Sequence, residues 1–206
     1  CLSEKKNLIY TTFSEIIPLP CSFQILKEKV ERLISKSDIV HKIAFPHKNF
    51  FYAKNHPIFT DFIGSSNIMI QLKNDILNIA NNNQPVLLLG ETGTGKTTIA
   101  KLIHKLSQRS KNPFIAESIP NLPESLASSI LFGSTEGAFT DAKKRQGLFK
   151  TANKGTLFLD EIGFASQMIQ GLLLTVIESG IIRAVGKDNE ENVDVRLIFA
   201  TNSDLK

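Results

Sequence analysis

Cysteine is nearly absent from this 206-residue chain, which carries only Cys1 and Cys21. Two thiols supply neither a disulfide framework nor metal-type spacing, so a reducing cytoplasm is the expected compartment. Nothing around Cys1 supports reading it as the anchor of an exported lipoprotein. A run of about eighteen apolar residues is also missing, which excludes a membrane-spanning helix. There is no signal peptide and no initiator Met, so the chain reads as a piece of something longer. Charge of one sign is scarce too: 24 basic against 20 acidic side chains leave +4. So small a surplus is compatible with phosphate-bearing partners without demanding one. His41, His47, His56 and His104 lack metal-ligand spacing and are expected not to bind metal. What is present is ordinary globular composition, 42% hydrophobic and 21% charged, enough for one domain and part of a second.

Three parts are legible. In residues 1–38 the clearest feature is an amphipathic stretch in which Phe23, Leu26, Val30, Leu33 and Ile34 share one helical face, with Ser22 as N-cap. Residues 39–60 hold no period. Pro46 and Pro57 break them, and Phe45, Phe50, Phe51, Tyr52 and Phe59 make them aromatic. They read as a connector packed on a neighbour. A nucleic-acid stacking surface interleaved with Lys42, Lys48 and Lys54 is the weaker alternative. From Asp61 onward, helical and strand-like segments alternate: a helix over 70–79, then strands over 86–89, 114–116, 156–159 and 195–200. That alternation predicts an α/β domain, a parallel sheet with helices on both faces.

The strongest chemical signal is Gly90-Glu91-Thr92-Gly93-Thr94-Gly95-Lys96-Thr97, which fits G-x-x-x-x-G-K-[ST]. An apolar strand precedes it, and the following Ile99, Leu102, Ile103 and Leu106 share a helical face. In that context the glycines let backbone amides turn toward phosphate oxygens at a helix N-terminus. Lys96 is expected on the β/γ-phosphates and the Thr97 hydroxyl on Mg²⁺. A ligand-free glycine turn is the competing reading. The second signal is Gly155-Thr156-Leu157-Phe158-Leu159-Asp160-Glu161, a buried strand releasing two carboxylates at its end. Asp160 is expected to hold Mg²⁺, and Glu161 to orient or deprotonate an attacking water. Asn202 ends a third strand, where it could lie between the other two sites or serve only as a turn residue. Lys143, Lys144 and Arg145 read as a solvated basic loop, with nucleic-acid contact the lesser alternative.

These residues, together with Ile63-Gly64-Ser65-Ser66, Leu131-Phe132-Gly133, Gly137-Ala138-Phe139-Thr140 and Arg183-Ala184-Val185-Gly186, resemble the AAA+ ATPase domain of the sigma-54-dependent transcription activators. The likeness covers 61–206, and Gly137-Ala138-Phe139-Thr140 is its most specific element. It implies an AAA+ P-loop NTPase core that couples ATP hydrolysis to remodelling of the sigma-54 RNA polymerase closed complex. By the same resemblance Gly90, Glu91, Thr92, Gly93, Thr94, Gly95, Lys96, Thr97, Thr98, Ile63 and Asp160 bind nucleotide. Thr97 and Asp160 hold Mg²⁺, and Glu161, Asn202 and Lys96 are catalytic. Gly137, Ala138, Phe139 and Thr140 meet sigma-54. A hexameric or heptameric ring is implied for the full-length protein, with DNA contacted only through a later domain. Residues 1–38 resemble more loosely the end of a response-regulator receiver domain, with 16–20 as its last strand and 22–34 as its last helix.

Several positions depart from the family pattern. Asp141 replaces a Gly, adding a Cβ and a negative charge beside Phe139. It is expected to weaken sigma-54 engagement more than ATP binding. Ser118 replaces an Asn that restrains the catalytic Glu, Ile130 a Glu, Ser134 a His, Thr97 a Glu, and Leu172 and Thr175 basic residues. The chain stops before the family's fifth strand, arginine fingers and helical lid. The expected consequences are a bare sheet edge along 86–89 and negligible ATP hydrolysis by the chain alone. Two alternatives stand beside the activator: a nucleotide-binding remnant without remodelling activity, and a P-loop NTPase of another AAA+ line.

Overall fold

The computed structural model describes residues 9–12 (backbone only), 56–60, 62–138 and 144–202. The chain forms two compact units, one of Cys1–Phe13 with Ala80–Ser203 and one of Ser14–Ile79 with Asp204–Lys206. The strand expected over 16–20, the helix over 22–34, and residues Phe139, Thr140, Asp141 and Lys143 lie outside the described residues.

In the first unit, four strands lie parallel, and the apolar runs of three of them, 86–89, 157–159 and 197–200, are buried almost throughout, as a strand covered on both faces requires. The four are β2 (Val86–Leu89), β3 (Phe114–Ser118), β4 (Thr156–Asp160) and β7 (Arg196–Thr201). With β1 (Ile9–Thr12), the sheet order is β1-β2-β7-β4-β3. Leu88, Leu157, Leu159 and Ile198 are wholly buried at its centre. The helices are α2 (Lys96–Leu106), α3 (Glu124–Phe132), the single turn α4 (Leu148–Thr151) and α5 (Gln167–Ser179). α2 buries Ile99, Leu102 and Ile103, the face its spacing predicts. α5 starts on Ser166, whose Oγ accepts from the Ile169 amide at 3.4 Å, and stops at left-handed Gly180. A two-stranded hairpin, β5 (Ile181–Arg183) with β6 (Glu190–Asn192), follows.

The expected bare edge is not bare. β1 pairs antiparallel with β2, Ile9 opposite Leu89 and Thr12 opposite Val86. Unpaired strand amides and carbonyls recruit any available β-former, and Ile9-Tyr10-Thr11-Thr12 is a run of them. The reading of residues 1–38 as a receiver remnant had no place for this strand.

In the second unit, α1 (Asn67–Ala80) extends the expected 70–79 by a turn. Lys73 Nζ there donates to the Gly64 carbonyl at 3.0 Å and lies 5.7 Å from the centre of the Phe59 ring. Among the described residues, no helix is long and apolar enough to cross a membrane.

Two polar groups and one glycine complete the core of the first unit. Arg196, 1% exposed, donates from Nη1 to the Ala80 carbonyl at 3.2 Å. Burial, then the nearby Arg109 charge, brings its pKa down to about 10, still well above neutrality. His104 Nδ1 lies 2.9 Å from the Thr156 hydroxyl, and its ring packs against Phe114 at 5.2 Å. Burial, then the charge on Arg196, lowers its pKa below the ordinary 6.5. Gly147 precedes α4, where Phe149 stacks on Phe132 at 5.1 Å. A Cβ at Gly147 would fall onto the backbone of Phe132 and Gly133, which has no room to yield.

Gly147→Ala should therefore lower stability by about 3 kcal/mol, read from denaturant melts. The depressed His104 pKa means that the unfolded chain takes up that proton first. Stability should fall as pH drops below 6.5. His104→Gln should flatten that slope in melts run across the same range.

Candidate functional site

Sheet order brings the sequence-predicted groups together. β7 lies between β2 and β4, with Leu89 opposite Thr201 and Leu159 opposite Phe199. The three strands end side by side, so the loop after β2, the carboxylates after β4 and Asn202 after β7 open on one edge. Ligands in open α/β sheets bind at the carboxyl ends of strands.

The loop from Gly90 to Gly95 turns on two left-handed glycines, Gly93 at φ 84° and Gly95 at φ 92°. A Cβ at either would meet nothing within 4 Å, so backbone conformation rather than space demands glycine there. Thr94 closes the turn, its amide and hydroxyl both donating to the Glu91 carbonyl at 3.3 and 2.8 Å. Gly95 is the N-cap of α2, and Lys96, Thr97 and Thr98 form its first turn. Unpaired amides at a helix start attract negative charge.

Lys96 is 6% exposed and folds back over the loop. Its ammonium donates to the carbonyls of Gly90 at 2.9 Å and Glu91 at 3.2 Å. The Glu161 carboxylate lies 4.0 Å away. Glu161 itself is left-handed, φ 54° and ψ 47°, and its amide donates to Asp160 Oδ1 at 2.9 Å. Its other oxygen accepts from the Asn202 amide at 3.2 Å. The Asn202 side chain reaches the opposite way, Nδ2 donating to the Thr92 hydroxyl at 3.1 Å. Asn202 therefore links the phosphate loop to the acidic strand end, the between-sites position that the sequence allowed.

Ser118, at the place of a restraining Asn, lies opposite Asp160 in the β3–β4 register, and its amide donates to Glu117 Oε1 at 3.1 Å. Glu161 is held by Asn202 and faces Lys96 instead. Ile63, also expected to bind nucleotide, belongs to the second unit and is exposed there. Gly137 and Ala138 lie in the loop after α3, with Gly137 left-handed at φ 74°. Sequence reasoning missed the Thr92–Asn202 contact and the strained Glu161 backbone. The first joins residues 110 positions apart, and only the sheet order could reveal it.

Among the described residues, no group of three or more His, Cys, Asp or Glu side chains could hold a metal ion.

Comparison with known proteins agrees with this geometry. Residues 62–206 match the family described as Sigma-54 interaction domain. Relatives include the anaerobic nitric oxide reductase transcription regulator NorR of Enterobacter sp. strain 638, 48% identical over 155 residues, covering 75% of this chain and 31% of that protein. NorR of Citrobacter koseri is 49% identical over 148 residues, 71% of this chain and 29% of that protein. The chain thus spans under a third of these curated relatives. Among solved structures, NtrX of Brucella abortus in complex with ADP superposes with a TM-score of 0.64 at 25% identity, covering 92% of this chain and 38% of that one. The ATP complex of the same protein gives 0.63 at 25%, covering 90% and 40%. Sheet, phosphate loop and matched span agree: the chain belongs to the sigma-54 interaction domain family, the AAA+ P-loop core of sigma-54-dependent activators.

Proposed function

We propose that this chain binds ATP with Mg²⁺ at the edge formed by Lys96, Asp160, Glu161 and Asn202, and that the protein it belongs to couples hydrolysis to remodelling of a sigma-54 polymerase complex. The observation that carries the reading is the meeting of three strand ends at Lys96, Glu161 and Asn202. The ADP and ATP complexes of NtrX, a protein of the same fold, support a nucleotide at that edge.

In this reading the Lys96 ammonium leaves the Gly90 and Glu91 carbonyls for the β/γ-phosphates. The exchange favours binding, because a triphosphate is a stronger acceptor than two peptide carbonyls. Thr97 and Asp160 would hold the Mg²⁺, which neutralises phosphate charge and leaves the residues to orient the substrate. The Asn202 amide fixes the Glu161 carboxylate where it can take a proton from an attacking water. The Asn202 side chain is the group placed to exchange Thr92 for the terminal phosphate. Gly137, Ala138, Phe139 and Thr140 form the contact to sigma-54, an apolar tip between small residues, and a ring of copies completes the machine.

Titration with labelled ATP and Mg²⁺ should show saturable uptake, weakened at least about a hundredfold by Lys96→Ala. Glu161→Gln should keep that uptake, and in a protein that also carries the family's arginine fingers and lid it should lower turnover by about 10²-fold or more. Uptake indifferent to losing Lys96 would overturn the reading. Asp141→Gly should strengthen retention of sigma-54 in a pull-down while leaving ATP affinity unchanged. Equal retention by both forms would show that Asp141 does not limit docking.

A further inference from the structure

The loop that carries Gly137 springs from a built recess. Its feet, Ser134 and Arg145, exchange backbone hydrogen bonds, both 3.0 Å. The Thr135 amide donates to the Val185 carbonyl at 3.0 Å and the Val185 amide to that of Gly133 at 2.9 Å, tying the same feet to the β5–β6 connection. Among the feet, α4 and the hairpin lies a cavity of about 390 Å³.

Four cations line it, Lys144, Arg145, Lys150 and Lys187, against one carboxylate, Glu191. Lys150 and Lys187 both donate to Glu191, at 2.7 and 2.9 Å. Lys150 first and Lys187 second hold the Glu191 carboxyl down to about 2, so it stays anionic at neutral pH. Lys144 and Arg145 are exposed and form no ion pair among the described residues. The recess thus has one carboxylate already seated on two of its cations, and two cations with no such partner among the described residues. Phe132 and Ile182, 3% and 4% exposed, form its floor and leave the cations as its accessible chemistry. A concave site with a cationic rim matches carboxylates carried on a protruding segment. A nucleic-acid backbone is better matched by a cationic track with aromatic stacking faces, and among the described residues the one aromatic lining this recess, Phe132, is 3% exposed.

We propose that this recess docks an acidic segment of a protein partner, whose Asp or Glu carboxylates pair with Lys144 and Arg145. The proposal rests on the sigma-54 docking in the function proposed above, and adds a second, charge-selective contact at the feet of the loop that carries Gly137. It also gives Lys144 and Arg145 a use beyond solvation.

The test is fluorescence anisotropy on the whole 206-residue chain. The probes are a labelled peptide of alternating Glu and Leu, its Lys-Leu counterpart and a single-stranded oligonucleotide. The acidic peptide should bind saturably and more weakly as salt rises. Combined Lys144→Glu and Arg145→Glu should weaken it at least about ten-fold. Lys101→Glu, on the exposed face of α2, should not, and ATP uptake should match the unmodified chain in both variants. Absence of peptide binding, indifference to the double reversal, or tighter reversal-sensitive binding of the oligonucleotide would each overturn the proposal. Purified sigma-54 separates the two readings. Retention by both the unmodified chain and the double variant defeats the recess and spares the proposed function. No retention by the unmodified chain defeats the sigma-54 reading, while the peptide result still decides the recess.

Discussion

The pairing of β7 between β2 and β4 is the constraint from which the site follows. Each of these strands carries one fragment of chemistry at its end: the phosphate loop, an acidic pair, and an asparagine. None of the fragments is informative about position by itself. With β7 central, the Asn202 amide meets Glu161 while its side chain meets Thr92. Any other order would separate the two contacts by a strand spacing of about 4.8 Å or more, beyond what one asparagine spans. The burial of β7 along all six residues, Arg196 included, fixes this order. A strand apolar on both faces is stable only inside a sheet.

How much of this was legible in the sequence depends on the range of the interaction. The loop at 90–97 was readable because its conformation is local: Gly93 and Gly95 are left-handed whatever surrounds them. The four parallel strands were readable because continuous apolar runs have few other fates, although their ends moved by one or two residues. The edge strand β1 was not readable. Its four residues are β-formers, but so short a run shows nothing of its partner, which lies more than 70 positions away. The β5–β6 hairpin was equally opaque, since β6 is Glu190-Glu191-Asn192, a polar triplet with poor strand propensity. Charge pairs from three places meet it instead: Arg183 across the strands reaches Glu190 at 2.7 Å, and Lys150 on α4 and Lys187 in the connection reach Glu191.

The same distinction explains the recess. In the sequence Lys144, Arg145, Lys150, Lys187 and Glu191 are scattered charges, and a run of basic residues is most often solvated. The backbone bonds between Ser134, Arg145 and Val185 turn that scatter into one cavity wall. The Gly133–Gly147 approach has the same effect on the apolar side, because it seats α4 and its Phe149 directly on Phe132. Gly133 and Gly147 therefore shape the surface from which the loop that carries Gly137 springs.

The site in this state is satisfied by its own groups, and that bears on what a nucleotide must do. The Lys96 ammonium is bound by two loop carbonyls, and Glu161 takes an amide from Asn202. Glu161 nevertheless keeps a left-handed backbone that costs roughly 1–2 kcal/mol for a residue with a Cβ. The strain is offset in part by its amide bond to Asp160 Oδ1. Asp160 is also the carboxylate that would face Mg²⁺. Under the function proposed above, a cation there would withdraw charge from Oδ1 and weaken its hold on the Glu161 amide, and phosphate at Lys96 would remove the cation that Glu161 faces. Both changes would fall on Glu161, the residue that carries the backbone strain.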